Sequence, residues 1–181
     1  MMKELSLNIL DITMNSVKAE ASLISISMVE DEQGWMTLEI ADNGCGMSED
    51  MAASVADPFC TTRTTRKVGL GVPLLKMAAE QTGGDVKIVS STAEEDHGTT
   101  VTARFDTRHI DFTPIGDIVA TICTLIQGSP DIDFVYSHKT PTLEVSLDTR
   151  ELRAVLGDVS LAEWEIISWI EENLREQYQN N

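Results

Sequence analysis

Basic residues are scarce in this chain: 13 Lys and Arg stand against 30 Asp and Glu, a formal charge of −17. Nucleic acid is thereby excluded as a partner, because a polyanion needs a continuous basic face, and any phosphate held must be met by a local group of donors. Cysteine is sparse as well. Cys45, Cys60 and Cys123 are odd in number and lack C-x-x-C spacing, which excludes a disulfide framework and a zinc knuckle and points to a reducing cytoplasm. No apolar run approaches the roughly 18 residues of a spanning helix, and Glu4, Asn8 and Asp11 interrupt the N-terminus where a signal peptide would be continuously apolar. The expectation is a cytoplasmic chain with no membrane partner. What is present suffices for a packed core: 42% of the 181 residues are hydrophobic, room for one ordinary domain plus an appendage or for two small ones.

The stretch Trp35-Met36-Thr37-Leu38-Glu39-Ile40-Ala41 puts Trp35, Thr37, Glu39 and Ala41 on one side and Met36, Leu38 and Ile40 on the other. This period of two marks a half-buried strand, which delivers Asp42 to an edge. In the following Asp42-Asn43-Gly44-Cys45-Gly46-Met47, glycines one residue apart let the backbone turn through positive φ and leave no Cβ to hold a ligand away. An acid followed by an amide-rich loop suits a ligand with an amine to accept from and an anion to cradle. An ordinary surface turn after a strand has the same local composition.

Upstream, residues 3–20 read as an amphipathic helix, with Leu5, Ile9, Ile12, Ser16 and Ala19 on one flank and Leu7, Leu10, Met14 and Val17 widening it. Asp11, Asn15 and Lys18 fall at spacings of four and three, so they share a face of consecutive turns. That stripe is either a solvated outer face or a source of oxygen for Mg2+, which takes hard oxygen ligands and keeps waters and phosphates as its others. Residues 23–29 form a strand, and Asp31-Glu32-Gln33-Gly34 turns it into the strand before Asp42.

Ser48-Glu49-Asp50 opens a short helix that stops near Asp57-Pro58. Residues 57–68 have neither helix nor strand periodicity, a length at which structureless segments are functional or disordered. Arg63, Arg66 and Lys67 place three of the 13 basic residues there, among Thr61, Thr62, Thr64 and Thr65, a phosphate-facing surface in an acidic chain. Gly69-Leu70-Gly71 then opens an apolar helix with Pro73 in its first turn, a ready anion site. Two more strands follow Gly83-Gly84, joined by the polar turn Glu94-Glu95-Asp96-His97-Gly98.

Together these blocks, in this order, resemble the GHKL superfamily of ATP-binding domains shared by DNA gyrase, Hsp90, histidine kinases and the MutL mismatch-repair proteins. Asp11-x-x-x-Asn15-Ser16-Val17-Lys18-Ala19 is similar to its N box and Asp42-Asn43-Gly44-Cys45-Gly46-Met47 to its first glycine box. Asp57-Pro58-Phe59-Cys60-Thr61-Thr62 is similar to its F box and Gly69-Leu70-Gly71 to its second glycine box, the whole resemblance covering residues 3–106. It implies an α+β fold, a Bergerat-type two-layer α/β sandwich, with ATP between the helix layer and a lid at 57–68. It further implies that Asn15 binds Mg2+, that Asp42 accepts from the adenine amine, and that Gly44 and Gly46 let base and sugar approach. Gly69 and Gly71 would lie on the phosphates, and Thr99 would support Asp42 through water. Lys18, Met47, Thr61, Thr62, Arg63, Lys67 and Leu70 complete the nucleotide-contacting set that the resemblance implies.

Several positions depart from the pattern. Asp11 stands where gyrase and MutL place the carboxylate that activates water, one methylene shorter than their Glu. Histidine kinases carry Gly where this chain has Lys67, closer to the anti-sigma-factor serine kinases. The chain starts almost at the N box, with no upstream phosphoacceptor helices, and His97, His109 and His138 read as surface histidines. Cys45 and Cys60 would flank the site, either as an oxidation-sensitive pair or as two inert small residues.

Residues 107–181 are expected as a small α-β-β-α-α appendage to the ATP-binding domain at 1–106. Its helices run from Pro114 to Gly128, from Asp148 to Gly157, and from the capping box Ser160-x-x-Glu163 onward. It would serve partner docking or homodimerisation, with Trp164 and Trp169 either as anchors or as filling for its core. The expected function is a Mg-dependent ATP-binding protein, a histidine-kinase-like or anti-sigma-like phosphotransferase or ATPase acting on a separate protein partner or phosphoacceptor. The alternative is a non-catalytic switch in which nucleotide orders the lid and changes which partner binds.

Overall fold

The computed structural model describes residues 3–55 and 70–180. Helix α1 (Leu5–Lys18) buries Leu5, Ile9 and Ile12 on one stripe, as their spacing requires. No side chain caps its start. The free amides of Leu5 and Ser6 instead donate to the carbonyls of Pro114 and Ile115 at 2.9 and 2.8 Å, so a distant segment completes the first turn. Strands β1 (Leu23–Glu30) and β2 (Trp35–Asp42) form a hairpin closed by Asp31, whose Oδ1 accepts from the amides of Gln33 and Trp35 at 2.9 Å. Helices α2 (Glu49–Val55) and α3 (Gly71–Gln81) and strands β3 (Val86–Ser91) and β4 (Gly98–Asp106) complete the first part. The second part comprises α4 (Ile118–Gly128), β5 (Asp133–Lys139), β6 (Glu144–Asp148), α5 (Thr149–Leu156) and α6 (Trp164–Gln179).

The strands make a six-stranded sheet in the order β3-β4-β2-β1-β5-β6, antiparallel except where β1 and β5 run parallel. Alternation gives it one apolar face: Ile26, Leu38, Ala103, Phe134 and Val145 are buried there in one cluster with Ile9 of α1, Leu75 of α3, Ile126 of α4 and Ile170 of α6. The other face is polar, with Ser25, Ser27, Thr37, Glu39 and Thr102 all outside the core, and with the Arg104 guanidinium 4.4 Å over the Trp35 ring. This is the expected α+β two-layer sandwich. No helix among the described residues is long and apolar enough to cross a membrane.

The C-terminal elements follow the expected α-β-β-α-α order but share the sheet and the core of the first part. Their boundaries differ from the sequence expectation at two helix starts. Pro114 and Ile115 precede α4, whose N-cap Asp117 accepts from the Ala120 amide, because their carbonyls are engaged by α1. Ser160-x-x-Glu163 forms no capping box: the Ser160 hydroxyl accepts from the Ala162 amide, and α6 begins at Trp164 with no side-chain cap at Glu163. Trp164 and Trp169 do not fill a core, being 75% and 50% exposed; Leu161, Ile167, Ile170 and Leu174 do. On the outer edge of the sheet the Gln177 side chain pairs with the Ser146 backbone in both directions, at 2.9 and 3.1 Å, and so covers part of the β6 edge.

Candidate functional site

At one end of the helix layer, β2 ends beside the start of β4 and α1 packs on β2. A pocket of about 220 Å³ opens there. Ile12, Ile40, Met47, Val72, Ile88 and Val101 give it apolar walls, and Asn15, Ser16, Lys18, Asp42 and Thr99 supply its polar groups, with Cys45 and Gly46 from the glycine loop and Met51 from α2. Asp42 and Thr99 are register partners on the adjoining strands. Both carboxylate oxygens of Asp42 accept internal donors: Oδ2 from the Ser16 hydroxyl at 2.5 Å and Oδ1 from the Gly44 amide at 2.9 Å. Each oxygen keeps a lone pair for a further donor. Gly46 lies at φ +68°, where a Cβ would collide with the Ser91 carbonyl; only glycine lets the loop approach β3 so closely.

The other end of the pocket is framed by α1 and the start of α3. A Cβ on Gly71 would lie 2.5 Å from Oδ2 of Asp11, so the Asp11 carboxylate rests against the N-terminus of α3, one turn along α1 from Asn15. Neither Asp11 nor Asn15 makes a side-chain hydrogen bond among the described residues, and Asn15 lines the pocket. An amide oxygen with no partner among the described residues fits Mg2+, which needs few protein oxygens. No cluster of three or more acidic, His or Cys side chains that would encage a metal occurs among the described residues. Lys18 is exposed at the rim and Leu70, just before α3, is 59% exposed. Thr61, Thr62, Arg63, Lys67 and Gly69, with Cys60 and the lid expected at 57–68, lie outside the described residues.

Two residues that spacing arguments passed over join this site. Ser90 on β3 accepts from the Met47 amide at 2.8 Å and meets Thr99 Oγ1 at 2.8 Å. His97 meets the Gly44 carbonyl through Nδ1 at 2.7 Å, which fixes that nitrogen as the protonated one. The only sequence signal for His97 was its place beside Gly98-Thr99. His138 corrects the surface expectation outright: it is 5% exposed, with Nδ1 against the Tyr178 hydroxyl at 2.9 Å.

Residues 1–109 match the family described as histidine kinase-, DNA gyrase B-, and HSP90-like ATPase. Over 72 residues the chain is 36% identical to the C4-dicarboxylate transport sensor protein DctB of Pseudomonas aeruginosa, covering 39% of this chain and 12% of that one. Over 90 residues it is 29% identical to the signal transduction histidine-protein kinase AtoS of Escherichia coli, covering 50% of this chain and 14% of that one. The chain thus spans only a small part of the length of the curated relatives it matches. The Aquifex aeolicus MutL ATPase domain complexed with ADP superposes with a TM-score of 0.55 at 13% identity, over 86% of this chain and 70% of that one. That is a likeness of fold, and its extent takes in elements beyond residue 109.

Proposed function

Since the chain belongs to the family of histidine kinase-, DNA gyrase B- and HSP90-like ATPases, we propose that it binds Mg·ATP in the pocket at Asp42 and delivers the γ-phosphate to a separate protein partner or to water. The observation that supports this most directly is the Asp42 carboxylate, held by Ser16 and Gly44 with acceptor capacity turned into an apolar-walled pocket. That is the chemistry an adenine amine selects, since its N–H groups need acceptors and its ring needs apolar contact.

At the phosphate end Asn15 would hold Mg2+ through its amide oxygen, and the ion when bound would neutralise phosphate charge. The α3 N-terminus, opened by Gly71, directs backbone amides at an anion. Asp11 is the base: its carboxylate, with no hydrogen-bond partner among the described residues, lies against Gly71, beside the place where phosphate would meet the helix. From there it can take the proton of an attacking water or hydroxyl while the remaining groups position the phosphoryl group.

The test is Asp42→Asn. An amide can turn an N–H toward the adenine amine and set two donors face to face, a mismatch of about 1–3 kcal/mol. ATP affinity by calorimetry is expected to fall accordingly, about five- to 150-fold at that cost. Equal affinity in variant and parent would remove Asp42 from the base pocket.

A further inference from the structure

Ser90 lies outside the four sequence boxes at 11–19, 42–47, 57–62 and 69–71, yet its hydroxyl meets three groups at the base end of the pocket. The Met47 amide donates to it at 2.8 Å, the Gly98 carbonyl lies 2.9 Å away, and Thr99 Oγ1 lies 2.8 Å away. A serine hydroxyl has a single proton, and a carbonyl can only accept. If Ser90 gave that proton to Thr99, its oxygen would face the Gly98 carbonyl oxygen at 2.9 Å with no hydrogen between them. All three contacts are hydrogen bonds in one arrangement only: Ser90 donates to Gly98, and Thr99 donates to Ser90.

Thr99 therefore presents lone pairs, and no proton, to the pocket that it lines. The same holds for its neighbours. Asp42 is an acceptor, and the Ser16 proton is committed to Asp42. We infer that Ser90 is the positioning residue that sets base selectivity: by taking the proton of Thr99 it leaves the Asp42, Ser16 and Thr99 side chains to face the pocket as acceptors alone. Such an end matches the exocyclic amine of adenine, directly or through one water. It mismatches the ring carbonyl of guanine, which would face acceptors and leave its own oxygen unpaired. This rests on the nucleotide reading proposed above.

Without Ser90 the Thr99 hydroxyl is free to rotate and donate into the pocket while keeping its lone pairs, so guanine gains a donor that adenine does not need. The experiment measures ADP and GDP affinities of the full chain by calorimetry, alongside thermal melts without nucleotide. The parent is expected to prefer ADP, and Ser90→Ala to narrow the ADP:GDP ratio by about tenfold or more. Because Ser90 acts through Thr99, the same substitution in a Thr99→Val background is expected to leave the ratio where Thr99→Val alone puts it. Ser90→Cys, nearly the same size but a poor donor and acceptor, gives the same readout should the alanine variant fail to fold. A folded Ser90→Ala or Ser90→Cys protein with the parental ratio overturns the role of Ser90 and leaves the nucleotide reading standing. A narrowing of equal size in the Thr99→Val background also overturns it, since the effect would then bypass Thr99. A parent that binds neither nucleotide overturns both.

Discussion

Asp11 and Asn15 are one helical turn apart on the same face of α1, and the proposed chemistry gives them different work. Asp11→Asn keeps the shape and removes the base, so Mg·ATP binding is expected to stay near the parental value while phosphate release or transfer falls ~10²-fold or more. Asn15→Ala removes the metal oxygen, and Mg2+-dependent binding is expected to go with turnover. Rates measured with and without partner, alongside calorimetry in Mg2+ and in EDTA, separate the two; parental turnover in Asp11→Asn would make the acid a helix-end charge for α3 and move the nucleotide-switch reading ahead. These residues were legible because helical spacing and the strand-to-glycine turn encode them locally. Ser90 was not. Its partners Met47 and Thr99 come from a glycine loop and a neighbouring strand, and only the sheet register brings the three hydroxyl and amide groups together.

Among elements, α6 shows how tertiary contacts override local signals. The Ser-to-Glu spacing puts its N-cap at Ser160, three residues before the observed N-cap Glu163, because here that spacing closes only a turn, and nothing local records its docking. Near its C-terminus the Tyr178 hydroxyl meets both Tyr136 at 2.5 Å and His138 Nδ1 at 2.9 Å, while His138 Nε2 is buried with no partner among the described residues. Burial lowers the His138 pKa from its ordinary 6.5, opposed by the charge of Glu30. A histidine depressed in the fold binds its proton more readily once unfolded, so stability from this group is full above its unfolded value and is lost as pH falls through the folded one. The chain is therefore expected to lose stability between about pH 8 and about pH 5.5, and His138→Phe to show a smaller loss over the same interval. Urea midpoints for both proteins at the two ends of that window check it; parallel losses would mean that His138 stays uncharged or titrates without effect on α6.

At the scale of the whole molecule, hydrophobic periodicity gave the right elements for residues 107–180 but not their place, because nothing local records which strand edge a new strand joins. The structure seats β5 in parallel along β1 from Leu23 to Val29, so removal of the C-terminal part would leave an interior strand with an open edge. It would also strip the apolar layer that α4 and α6 supply, including Ile122, Leu125, Ile126, Ile170 and Leu174, and leave the first α1 amides without the Pro114 and Ile115 carbonyls. Burying a side chain of this size is worth about 1.5–3 kcal/mol relative to exposure, and domain stabilities are about 5–15 kcal/mol in all. A fragment of residues 1–109, the stretch that matches the family, is thus expected to be partly folded or associated, with weakened ADP binding, whereas the intact chain melts in one cooperative transition. Calorimetric melts and gel filtration of both decide it: a monomeric fragment that melts cooperatively and binds ADP with parental affinity would make the C-terminal part a separable docking module after all.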